Sequence, residues 1–199
     1  DALFAKHEYR GAVDQYRAAL QQDRENRDWV RRQIVAQMVW CYRNLNMPEQ
    51  AGEYFLILLS GDSATPYFDS IPLAWRSGEP TPAVEQKAKT WLARSDSAAA
   101  QLMAASHLLS TAENPRMVQR LRRLASDRDE RIAWLAEAQL WRTEAFAADD
   151  ATCLKWQRAI EESPADLRAG PYFVLAEAWK KRRPAAGSAS VFSASARPR

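Results

Sequence analysis

Two histidines and two cysteines are the side chains of this 199-residue chain best suited to metal binding or nucleophilic attack. His7 lies between Lys6 and Glu8, and His107 lies beside Leu108 and Leu109. A zinc or transition-metal site needs several ligands at close spacing, as in Glu-x-x-His or His-x-x-x-His, and neither histidine has such a partner. Cys41 and Cys153 are far apart in sequence, and no Cys-x-x-Cys occurs. They read as two small core hydrophobes, not as a disulfide or a metal pair. A nucleophilic thiol would also need a base beside it, and none is evident nearby in the sequence. Gly61, Gly78 and Gly170 stand alone, so no phosphate-cradling loop is formed. Asp149-Asp150 opens a helical stretch, where negative charge complements the helix dipole. The expectation is a non-enzymatic chain with no catalytic residue, no metal and no cofactor.

Residues suited to binding are more numerous. Arg116, Arg120, Arg122, Arg123, Arg128 and Arg131 form the one dense basic region of the body, and Arg116, Arg120 and Arg123 recur at i, i+4, i+7 and so share one helix face. Asp127, Asp129 and Glu130 follow closely enough to pair with them. The cluster reads either as a solvated ion-pair face or as a clamp for a carboxylate, such as a peptide terminus or an acidic partner. A second set is Arg32, Gln33 and Arg43, on a helix expected over 29–46, with Tyr67, Phe68 and Trp75 from a proline-rich insert over 62–82. Together these are expected to face a groove. Of the eight tryptophans, Trp29, Trp91, Trp134, Trp156 and Trp179 are expected to fill seams between helices. Trp40 and Trp75 are harder to place inward, and an exposed tryptophan in a groove is a binding hot spot.

The net charge of +3 misleads. Six of the 28 basic residues, Lys180, Lys181, Arg182, Arg183, Arg197 and Arg199, follow Trp179, and no acidic residue does. Residues 1–179 therefore carry 22 basic against 25 acidic groups. A mildly acidic body argues against nucleic acid as a partner, since phosphates need a positive track. The longest apolar run, Phe55–Leu59, is far too short to span a bilayer.

The elements that must position these residues are helices almost throughout. Only six glycines, against many Ala, Leu, Arg, Gln and Glu, favour helix over sheet. Apolar residues recur at helical spacing over about 3–22, 29–46, 48–60, 82–94, 97–110, 115–126, 129–147, 149–162 and 167–182. Asp28, Thr81-Pro82, Asn114-Pro115 and Asp149 are start signals. Over about 66–75 a distorted helix or two short turns are expected, because Pro72 would interrupt a regular one. First helices of successive hairpins then begin near 29, 66, 97, 129 and 167, a period of about 35 residues. Tyr9, Ala12, Tyr16, Ala19 and Leu20 are echoed 39 residues later by Pro48, Ala51, Phe55, Leu58 and Leu59.

That echo resembles the tetratricopeptide repeat family, with Tyr9, Ala12, Tyr16 and Ala19-Leu20 matching its second helix and Tyr42 and Ala51-Phe55 its next junction. Val39 stands where the family has Gly or Ala, Pro48 comes early, and residues 97–162 keep the period without the signature. The resemblance implies an all-α, right-handed α-α superhelix of helical hairpins over 1–182 that presents a groove to a protein or peptide. The texture is also similar to uncharacterised bacterial repeat proteins of planctomycete type. On that likeness an export signal is expected upstream of Asp1, the chain being a fragment; otherwise it is cytoplasmic. Residues 183–199, small, polar and basic, are expected to be disordered. The alternative is a helical accessory domain of a larger enzyme or envelope protein.

Overall fold

A computed structural model describes residues 2–22, 28–61 and 64–182, and the expected tail at 183–199 lies outside them. Among the described residues the chain is all-α and helical-repeat-like, with ten α-helices and no strand. They are α1 (Ala2–Ala5), α2 (Tyr9–Gln22), α3 (Asp28–Asn44), α4 (Pro48–Gly61) and α5 (Pro82–Leu92), then α6 (Ala98–Leu108), α7 (Asn114–Leu124), α8 (Glu130–Glu144), α9 (Asp150–Glu162) and α10 (Ala169–Arg182).

Local chemistry fixes most of the boundaries. The side chains of Thr81, Ser97, Asp129 and Asp149 each accept a backbone N–H in the first turn of the helix that follows. At the end of α3 the chain reverses through Asn46, at φ 56°. Met47 N–H donates to Tyr42 O (2.9 Å) and Asn46 N–H to Arg43 O (3.1 Å), the paired bonds of a left-handed helix stop. The same device at His7 (φ 61°) divides the single helix expected over 3–22 into α1 and α2.

Helices pack on their sequence neighbours: α2 on α3, α3 on α4, α5 on α6, α6 on α7, α7 on α8 and α9 on α10. In addition α4 touches α6, α6 touches α8 and α8 touches α10, so the even-numbered helices form a row. Two expectations are corrected here. Over 66–75 the chain takes the short-turn alternative, with a 3-10 turn at Phe68–Ser70 and no α-helix, so the hairpin partner expected for α5 is absent and α5 packs chiefly on α6. Helix α9 packs chiefly on α10, whereas the sequence pattern paired it with α8.

Helix α6 is the centre. Every residue from Ala99 to Leu108 is buried, because α4, α5, α7 and α8 all lie against it. Apolar residues lie on every side of it, its three polar ones (Gln101, Ser106 and His107) are hydrogen-bonded, and its alanines let the neighbours approach closely. The main core runs from α2 to α8, and a second core joins α8, α9 and α10 around Trp141 stacked on Trp156 at 5.2 Å. Trp75 and Trp134 pack against both. Two glycines are required by close approach: a Cβ at Gly52 would run into the Trp91 ring, and one at Gly170 into the Trp75 ring. Trp29 does not fill a seam as expected; it is 66% exposed.

Candidate binding cleft beside the 71–81 strap

Residues 71–81 form a non-helical strap between the 3-10 turn Phe68–Ser70 and α5. Proline chemistry explains why. Pro72 has no N–H to give a helix, and it drives Ile71 to an extended conformation (φ −51°, ψ 125°).

Three side chains from distant helices hold the strap. His107 Nε2–H donates to Pro72 O (3.0 Å). Ala74 N–H donates to Ser106 Oγ (3.2 Å), and Ser106 Oγ donates to Met103 O (2.8 Å). Arg142 on α8 donates to Ser106 O (2.7 Å), Gln139 Oε1 (2.7 Å), Arg76 O (3.0 Å) and Ser110 Oγ (3.4 Å). A carbonyl only accepts, so the His107 proton sits on Nε2 and the lone pair on Nδ1. Burial pushes the imidazole down to about 4, against the pull of the Pro72 carbonyl and with the Arg142 charge adding to the drop. Burial likewise lowers Arg142 to about 10.

A second arginine on α8 holds the segment preceding the strap. Arg131 forms a two-pronged pair with Asp129 (3.0 and 2.7 Å), donates to Thr65 O (3.1 Å) and lies 4.3 Å over the Phe68 ring. Its side-chain bond to Asp129 holds that carboxyl below its ordinary range, outweighing the effect of burial. Arg131 and Arg142 are eleven residues apart, three helical turns, so they share one face of α8.

The strap walls a cleft of about 530 Å³ whose other side is the α3–α4 turn. Arg43, Glu49, Trp75 and His107 all border it. Arg43 lies 4.7 Å over the Trp40 ring and donates to Asp69 O (3.2 Å). Burial lowers its pKa, partly offset by the nearby Asp69 charge. From Trp75 to Glu79 no backbone N–H makes a hydrogen bond within the described residues.

The residues singled out in the sequence are spread over the molecule and do not form one groove. Arg43 and Trp75 meet at this cleft. Trp75 is half-buried with its indole on Gly170, so it is a seam filler that also borders the cleft. Phe68 is corrected: at 2% exposure it is core, edge-on to Phe55 (centroids 5.6 Å), and unavailable to a partner. Tyr67 packs on the small Val35, Ala36 and Leu58 cluster. Arg32 lines a separate recess with Asp28 and Ile57, and Gln33 is exposed on α3. Arg120 and Arg123 border a third recess with Gln101 and Asp127, where Arg120 donates to Gln101 Oε1 (2.8 Å). Arg116 is exposed and pairs with Glu113 (3.2 Å). Of the acidic residues following that stripe, Asp129 engages Arg131, the last arginine of the same cluster. Cys41 and Cys153 are buried, and burial pushes the Cys41 thiol up to about 11.

Sequence reasoning missed Arg142, Ser106 and Glu49 as site residues. A signal for Arg142 existed: it continues the buried Leu135, Gln139 row at i, i+4, i+7.

The architecture defines the class only as an all-α, helical-repeat-like protein. No protein-family model, no curated protein and no solved structure matches the chain.

Proposed function

We propose that this chain is a non-enzymatic scaffold, built from tetratricopeptide-like helical hairpins in a right-handed superhelix, that binds an extended peptide segment of a protein partner in the strap cleft. The observation that carries this reading is the run of unpaired strap N–H groups from Trp75 to Glu79 beside a cleft of about 530 Å³. An irregular segment tied down at its start but open along its edge offers main-chain donors and acceptors to another extended chain. Packing in neighbouring helix pairs is consistent with a repeat scaffold.

Selection of random peptides against the immobilised chain tests it. The expected outcome is a set of peptides whose affinity falls about tenfold for Arg43→Ala, the size of a modest hot spot. Failure to enrich any peptide, or enriched peptides that bind Arg43→Ala and the parent chain equally, would sink the proposal.

One observation favours the alternative, a helical accessory domain of a larger enzyme or envelope protein. Leu154 on α9, Tyr172 and Phe173 on α10 and Phe146 in the α8–α9 turn are large hydrophobic side chains left exposed, the kind of surface a further domain covers.

A further inference from the structure

We infer that the strap cleft is a receptor for a basic side chain, an ammonium or guanidinium carried by the bound peptide. This deepens the proposed function and rests on the cleft being the peptide site.

Along one wall of the cleft, side-chain acceptors stand without donors. Glu49, the second residue of α4, borders it and has no hydrogen-bond or ion-pair partner among the described residues; its Oε2 is buried and unsatisfied. Glu79 on the strap borders the same space, also without an ion-pair partner. His107 is 8% exposed, with its only protein bond through Nε2. Nδ1 carries the lone pair, has no protein partner and is not among the fully enclosed orphan atoms. The ring that carries it borders the cleft. A buried acceptor without a donor is costly unless something supplies one.

The cations that border the cleft are engaged by other groups. Arg43 rests on Trp40 and donates to Asp69 O, and Arg76 lies 5.7 Å over the Phe173 ring. What Glu49, Glu79 and His107 Nδ1 lack is thus a positively charged N–H donor, which Lys and Arg side chains supply. Leu73, Val84, Pro48 and Pro80 provide apolar surface for the aliphatic stem, and the Trp75 indole offers a ring to the cation.

The test uses N-acetyl-arginine methylamide and N-acetyl-lysine methylamide as probes, with the methionine and glutamate analogues as controls. Each is titrated into the whole chain while the His107 ring nitrogens are followed by NMR. The expected result is a saturable shift of the Nδ1 resonance with the two basic probes only, weakened about tenfold by Glu49→Gln. His107→Gln should weaken binding of the same probes, read from the Trp75 indole signal. Thermal unfolding of both variants confirms that they fold. Equal response to the methionine probe, preference for the glutamate probe, or an unchanged affinity in folded Glu49→Gln overturns the inference. Selected peptides that occupy the cleft without a basic residue defeat the inference and leave the proposed function standing. Basic probes that bind where no peptide does defeat the proposed function alone.

Discussion

Helix α6 and the 71–81 strap touch through Ser106 and His107, yet they treat their backbones in opposite ways. In α6 nearly every side chain is buried and the backbone is satisfied within the helix. The strap is fixed by Pro72 O, Ala74 N–H and Arg76 O, and its next residues leave their N–H groups to water. The first arrangement stores stability. The second keeps hydrogen-bonding capacity for a partner while a rigid neighbour sets its position. Position is set from α6 and α8, so the recognition edge is only as ordered as the helices that hold it.

The difference should be largest when α6 itself is cut. Leu102 is fully buried there, and Leu102→Ala is expected to cost about 3 kcal/mol in urea unfolding, from lost transfer energy plus the cavity. A cost below about 1 kcal/mol would remove α6 from its central role.

Titrating the contact between the two regions comes next. The folded-state pKa of His107 is lowered to about 4 from an ordinary 6.5. In that window the unfolded chain binds the extra proton, so stability falls as pH drops from about 6.5 to 4 and is unaffected by this group above it. The shift corresponds to about 3 kcal/mol over the window. His107→Gln should flatten this part of the stability curve by that order, measured by denaturant titration at stepped pH. Parallel curves for parent and variant would contradict the buried neutral ring.

Two glycines give the sharpest contrast. Gly170→Ala drives a Cβ into the Trp75 ring, an overpacking expected to cost about 2 kcal/mol. It should also speed tryptic cleavage after Arg76 by loosening the strap. Gly78, on the strap, has open space around it and no positive φ. Gly78→Ala should therefore stabilise by about 0.5 kcal/mol, through the unfolded chain. The same sign for both changes would erase the distinction between a packed and an open strap.

Most helices were legible because their signals are local. Thr81-Pro82, Asn114-Pro115 and Asp149 announce helix starts within the next few residues, and the apolar rows of α4 and α7 repeat at helical spacing. Pro72 announced a break in the same local way. The course of the chain beyond Pro72 was not legible, since the strap is fixed by His107 and Arg142, 35 and 66 residues from their partners. The aromatic residues of the insert looked alike in sequence, but Phe68 went into the core and Trp75 onto Gly170. Arg116, Arg120 and Arg123 drew notice by density. Arg142, alone among apolar neighbours, matters more because burial leaves it only specific acceptors.

Hydrogen–deuterium exchange of the chain, with and without a selected peptide, tests the central claim most directly. The account predicts slow exchange across α6 in both states, fast exchange at Trp75–Glu79 in the free chain, and protection at those strap amides when the peptide is bound. Protection that appears instead on the α7 arginine face, with the strap still exchanging freely, would contradict it.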